Sequence, residues 1–276
     1  MPDPSPATAP FDPAEIRAVT FDAYGTLFQF HDDEFRVAMG EVLADQGLAH
    51  DNHDDLYRAF HSAYMQAAPF EFTRAGADGD GEPDDEQRRA NLDRMLNGPV
   101  EDWITIREIW RRQWEATFEQ NDLAGDAERA AEQFRDRLSV AAPSPDAHET
   151  VARLAECDLT LALLSNADDD FLQPALLRSR LRFSLIHSSE SLQSYKPHRS
   201  IFETLCEMLA LEPGQVLYVG DSLPTDVRGA KNAGLRTAWI PRAERQMSDE
   251  MPQPDLKLAA LADLADLFEA RDTEKP

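Results

Sequence analysis

From residue 146 onward the chain alternates between two periods, and this constrains the fold more than any other feature. Helical spacing over 146–157 gives way to the apolar run Leu159–Ser165, then to a helix over Asp168–Arg178 and the run Phe183–Ser188. A helix over Ile201–Leu209, the run Val216–Gly220, a helix over Val227–Ala233 and the run Thr237–Ile240 follow. Leu256–Leu258 reads as a last short strand before a helix over 260–269. Residues 16–23, around Ala18-Val19-Thr20-Phe21, supply one more strand near the start. Continuous apolar runs fit strands buried on both faces, and their alternation with helices predicts a parallel sheet flanked by helices, an α/β class.

Between residues 31 and 141 the period is helical only. Phe35, Met39, Val42 and Leu43 recur at helical spacing, as do Leu56, Tyr57, Phe60 and Tyr64. The polar stretch Ala75–Glu86, with Gly76, Gly79 and Gly81, reads as a mobile loop. Helical pattern resumes over Gln87–Leu96 and stops at Asn97-Gly98-Pro99. Trp103, Ile106, Trp110, Trp114 and Phe118 mark one face of a longer helix, and Ala127–Leu138 forms another. The expected organisation is a disordered tail over 1–13, a core from 14–30 and 142–276, and an all-helical insertion over 31–141.

The net charge of −25 argues against nucleic acid and anionic membrane surfaces as partners. No apolar run approaches the ~20 residues a membrane span needs. The Pro-rich start lacks both a basic region and an apolar run, so it resembles neither a signal nor a transit peptide. A cytoplasmic protein that is a monomer or homodimer is expected. Cys157 and Cys206 lie in separate helical patterns and read as two buried thiols.

Four strand ends carry polar residues directly after apolar runs: Asp22, Ser165-Asn166, Lys196 and Gly220-Asp221-Ser222. Parallel strands gather their carboxyl ends on one edge, where ligands of open α/β sheets bind. A carboxylate, a hydroxyl, an ammonium and a second carboxylate meeting there suit a phosphate beside a divalent cation, because Mg²⁺ takes oxygen ligands and lysine supplies a point charge. Each has a plainer reading: Asp22 as a turn former, Lys196 as a loop lysine, Asp168-Asp169-Asp170 as a capped helix start.

The motifs resemble those of the haloacid dehalogenase superfamily. They are Phe21-Asp22-Ala23-Tyr24-Gly25-Thr26-Leu27, Leu164-Ser165-Asn166, Tyr195-Lys196-Pro197 and Val219-Gly220-Asp221-Ser222-Leu223-Pro224-Thr225-Asp226. The resemblance covers residues 16–269 and implies a Rossmann-like core with an all-α cap inserted after the first motif. It implies a hydrolase of a small molecule, with Asp22 as nucleophile and Thr26, Ser165, Asn166 and Lys196 around the transferring group. Mg²⁺ would be held by Asp22, the Tyr24 backbone carbonyl and Asp221, with Asp226 beside the metal. The phosphatase form runs through an aspartyl-phosphate.

Two positions depart from that pattern. Tyr24 stands where phosphatases of this family place an acid–base aspartate, and a phenol titrating near ~10 is a poor base at neutral pH. Asp-Ala-Tyr-Gly-Thr-Leu also resembles the first motif of the metal-independent 2-haloacid dehalogenases, which form an aspartyl-ester. Those enzymes carry a Ser-Ser-Asn type segment where this chain has Gly220-Asp221-Ser222-Leu223, and a tyrosine where it has Phe202. The phosphatase is therefore the leading expectation, the dehalogenase the alternative, and a phosphometabolite-binding protein without turnover the third.

Overall fold

A computed structural model describes residues 10–48, 53–67, 84–99, 103–241 and 251–273. The first nine residues of the expected tail and most of the expected loop at 75–86 lie outside the described residues. Strands β1 (Ala18–Phe21), β2 (Thr160–Ser165), β3 (Leu185–Ser188), β4 (Val216–Gly220), β5 (Arg236–Trp239) and β6 (Leu256–Lys257) form one sheet in the order β3-β2-β1-β4-β5-β6. Every pairing is parallel. In register, Phe21 stands beside Leu163 on one side and Val219 on the other, so β1, β2 and β4 end level.

Both faces of the sheet are buried, and adjacent residues feed opposite faces. Val19, Phe21, Leu161, Leu163, Leu217 and Val219 pack into one cluster, which takes in α6 (Ala147–Ala155), α7 (Asp169–Ser179) and α11 (Ala262–Thr273). Ala18, Ala162, Leu164, Val216 and Tyr218 pack on the other face, under α9 (Arg199–Leu209) and α10 (Arg228–Asn232). This explains why the strands read as unbroken apolar runs.

Between β1 and α6 the described residues form five helices: α1 (Asp32–Asp45), α2 (His53–Ala67), α3 (Asp85–Asn97), α4 (Ile106–Gln120) and α5 (Ala127–Ser139). Met39, Val42, Phe60, Trp114, Phe118, Ala130 and Phe134 give α1, α2, α4 and α5 a hydrophobic cluster of their own. Trp103 was expected on the same helix as Trp110, but α4 begins at Ile106, where the Thr105 side chain accepts the Glu108 N–H. The side-chain cap at Thr105 thus starts the helix later than the apolar period suggests. The helix α3 begins two residues sooner than its apolar pattern, because Asp84 and Gln87 form a reciprocal cap.

The two passages between this helical segment and the sheet run side by side. Phe28 bridges Pro143 in antiparallel fashion, Gln29 N–H donates to Ala142 O at 2.8 Å, and Ser144 N–H donates to Leu27 O at 2.7 Å. A short helix, α8 (Ser189–Leu192), which the sequence pattern did not foretell, connects β3 toward Lys196. After β4 the chain makes a wide helical turn over Leu223–Val227, with Pro224 at its start, before α10.

Candidate active site

The first strand stops at Asp22 because its ladder does: Asp22 N–H makes the last bond, to Val219 O at 2.9 Å. Ala23 O then accepts both Leu27 N–H at 2.8 Å and Phe28 N–H at 2.9 Å, which folds the chain back sharply. Gly25 at the apex has φ +90°, a region that side chains disfavour. It is also crowded: a Cβ there would lie 2.8 Å from the Asp221 carboxylate. Glycine at 25 is thus what lets the loops after β1 and β4 touch.

Asp22 is 5% exposed and Lys196 3%. Lys196 Nζ donates to Asp22 Oδ1 at 2.6 Å and to Asp226 Oδ1 at 2.6 Å. Ser165 Oγ donates to the same Asp22 oxygen at 3.0 Å. Both bonds to Asp22 fall on Oδ1, and Oδ2 accepts none among the described residues. Burial alone would lower the Lys196 ammonium, but the carboxylates of Asp22 and Asp226 hold it well above its ordinary value, so it stays charged. Burial pushes the Asp226 carboxyl up, against the pull of the Lys196 ammonium.

Carboxylate oxygens of Asp22, Asp221 and Asp226 lie within 4.8 Å of one another. The three carboxyl groups face one ammonium in a largely buried site. This oxygen set and its charge fit a hard divalent cation. Asp226 was expected only beside the metal position, yet its carboxylate also binds Lys196 and takes Ser222 N–H on Oδ2 at 2.9 Å. Gly220 makes this possible, since a Cβ there would meet Asp226 Oδ2 at 2.3 Å. Trp239 Nε1 donates to Asp221 O at 2.8 Å and so fixes the main chain of that loop.

The Asn166 side chain holds the backbone of Lys196. Its amide Nδ2 donates to Lys196 O at 2.9 Å and its Oδ1 accepts Lys196 N–H at 2.8 Å, pinning the lysine backbone to the end of β2. Thr26 is buried in the first turn, its carbonyl accepting Ser144 Oγ–H at 3.1 Å. The Tyr24 phenol faces the carbonyls of Leu138 and Phe171, both at 3.3 Å, and its ring packs on Phe28 and Phe171. Burial first, and the charges of Asp22 and Asp170 next, push its hydroxyl far above the ordinary tyrosine range, so it is no base at neutral pH.

Three residues at the site escaped sequence reasoning. Tyr218 OH accepts the third Lys196 proton at 2.9 Å; Tyr218 was hidden inside an apolar strand run. A buried tyrosine hydroxyl needs a partner, and that was the available signal. Trp239 likewise lay inside an apolar run, Thr237–Ile240. Asp168 begins α7, as the acidic run suggested, but its side chain caps another helix. It accepts Ile106 N–H at 2.8 Å and Arg107 N–H at 2.9 Å, at the start of α4. Burial raises this carboxyl to about 6, against the two amides that favour its anion. Near it, Tyr195 OH bonds the backbone of Ile104, and His198 Nε2 lies 2.9 Å from Gly98 O.

Comparison with known proteins shows the family. The family profile described as haloacid dehalogenase-like hydrolase matches residues 16–234. N-acylneuraminate-9-phosphatase of Mus musculus is 26% identical over 175 residues, covering 60% of this chain and 70% of that protein. (S)-2-haloacid dehalogenase 4A of Burkholderia cepacia is 31% identical over 128 residues, 46% of this chain and 53% of the relative. Among solved structures, L-2-haloacid dehalogenase from Xanthobacter autotrophicus shares the fold, with a TM-score of 0.68 and 21% identity over 92% of this chain and 98% of the other. With a family match over most of its length and the strand-end carboxylates and lysine gathered in one site, the chain belongs to the haloacid dehalogenase-like hydrolases.

Proposed function

We propose that this hydrolase is a Mg²⁺-dependent phosphatase of a small phosphorylated metabolite. The observation that carries the reading is the third carboxylate: Asp221 joins Asp22 and Asp226 within 4.8 Å, with one ammonium among them. Without a cation, that excess of negative charge would repel both the nucleophile and an anionic substrate. Asp22, Asp221 and the Tyr24 carbonyl would hold Mg²⁺, which when bound would neutralise phosphate charge.

In this reading Asp22 Oδ2 attacks phosphorus. The phosphorus–oxygen bond to the leaving group breaks with its electron pair, and an aspartyl-phosphate forms. Water then cleaves it and releases phosphate. Ser165 and Lys196 hold Oδ1 and so orient the attacking oxygen, while Thr26 lies in the adjacent turn. Tyr24 donates toward main-chain carbonyls and offers no acid to the leaving group, so substrates with good leaving groups turn over fastest. The helices α1 to α5 serve as the cap that excludes water, and the paired passages at Phe28 and Pro143 are its hinge. The expected setting is cytoplasmic; among the described residues no helix is long and apolar enough to cross a membrane.

One observation favours a second reading, 2-haloacid dehalogenation: position 24 carries a phenol packed on Phe28 and Phe171 in place of a carboxylate. The relatives include both phosphatases and dehalogenases. Parallel assays decide between them. Phosphate release from an aryl phosphate that stops in EDTA supports the phosphatase; halide release from 2-chloropropionate that persists in EDTA replaces it with the dehalogenase.

A further inference from the structure

The geometry points to Tyr218 as a positioning residue for Lys196, an inference that rests on the reading of Asp22 as nucleophile. An ammonium has three protons, and the Lys196 side chain spends all three: on Asp22 Oδ1 and Asp226 Oδ1, each at 2.6 Å, and on Tyr218 OH at 2.9 Å. The three acceptors form a tripod. Two are charged and belong to loops after β1 and β4; the third is neutral and belongs to the middle of β4.

The phenol can only accept here. Its single proton goes to Leu164 O at 2.7 Å, so its lone pairs are left for the ammonium. Leu164 directly precedes Ser165, whose hydroxyl holds the same Asp22 oxygen. Tyr218 therefore links the end of β2 to the lysine that orients the nucleophile. A third carboxylate in its place would add buried negative charge, and an apolar residue would leave the ammonium tethered to two loops alone. Tyr218 is buried and paired between Thr20 and Thr237 in the sheet, so its oxygen ties the ammonium to the sheet itself. The ring itself is seated independently, edge-on against Phe202 at 5.2 Å and 80°. Tyr218→Phe thus deletes one oxygen and keeps the packing.

The test compares kcat and KM of wild type, Tyr218→Phe and Phe202→Leu, each at matched folded fraction by circular dichroism, with an aryl phosphate and 2-chloropropionate as substrates. Tyr218→Phe is expected to lower kcat about 10–100-fold, the effect of one hydrogen bond to a charged group, with KM within about threefold. Phe202→Leu loosens the same packing without touching the ammonium, and is expected to lower the melting temperature while leaving kcat near wild type. An active wild type with Tyr218→Phe kcat within twofold of it overturns the inference alone. So does a kcat loss that Phe202→Leu matches, which would make Tyr218 a packing residue. A wild type releasing neither phosphate nor halide overturns the reading of Asp22 itself, and this role with it.

Discussion

Charge is handled in opposite ways at the strand ends and on the helical segment. At the strand ends one buried ammonium is shared between two buried carboxylates, with a third close by. On α4 the cations are the half-exposed Arg107, Arg111 and Arg112, and each is matched to a glutamate of its own surroundings: Glu128, Glu108 or Glu115. Buried ions carry a desolvation cost that only close partners offset, while exposed pairs sit in high dielectric and contribute little. The first arrangement is expensive to keep and the second nearly free. The expensive one lies where the family resemblance places the chemistry.

The contrast is sharpest under substitution. Asp22→Asn removes the proposed nucleophile and is expected to cut turnover by about 10⁴–10⁶-fold, read as phosphate release under single-turnover conditions. Activity within tenfold of wild type would detach the buried cluster from catalysis. Lys196→Met leaves Asp22 and Asp226 buried without their cation, and urea denaturation is expected to show a loss of about 3–5 kcal/mol.

Asp168 lies between the two extremes: a buried carboxylate at the seam, holding the start of α4. Its carboxyl is raised on folding from 3.8 to about 6 by burial. A group that binds its proton more tightly when folded stabilises the native state at low pH, and that contribution is lost as pH rises through about 6. Asp168→Asn removes the titration. The stability of wild type relative to this variant should therefore grow on acidification from pH 7 to 4, by up to about 3 kcal/mol. A difference that ignores pH would mean the seam is better hydrated than its burial indicates. The smallest effect belongs to α4: Arg111→Ala should cost no more than about 1 kcal/mol and shrink further in high salt.

The same divide separates what the sequence made legible from what it did not. Asp22, Ser165 and Asp221 stood out because each breaks an apolar run at a strand end, and parallel strands bring such ends together; Lys196 was expected at a strand end too, but β3 stops at Ser188 and the lysine lies beyond α8. Tyr218 and Trp239 lie inside apolar runs, so their hydrogen-bonding ends were masked by their apolar bodies. Asp168 belongs to an acidic run that suits the start of its own helix, and only the docking of α4 reveals its real partner. Asn166 was visible, but its engagement with the Lys196 backbone depends on the loop after α8. Local signals thus located the strand ends, while contacts between segments distant in sequence assigned the partners.

The most direct test of the metal-dependent reading is a Mg²⁺ titration of p-nitrophenyl phosphate hydrolysis by chelator-treated protein, run beside Asp221→Asn. The account predicts no release in EDTA, saturable recovery as Mg²⁺ is added, and a higher Mg²⁺ requirement in the variant. Phosphate release that is unchanged in EDTA and in Asp221→Asn would contradict it.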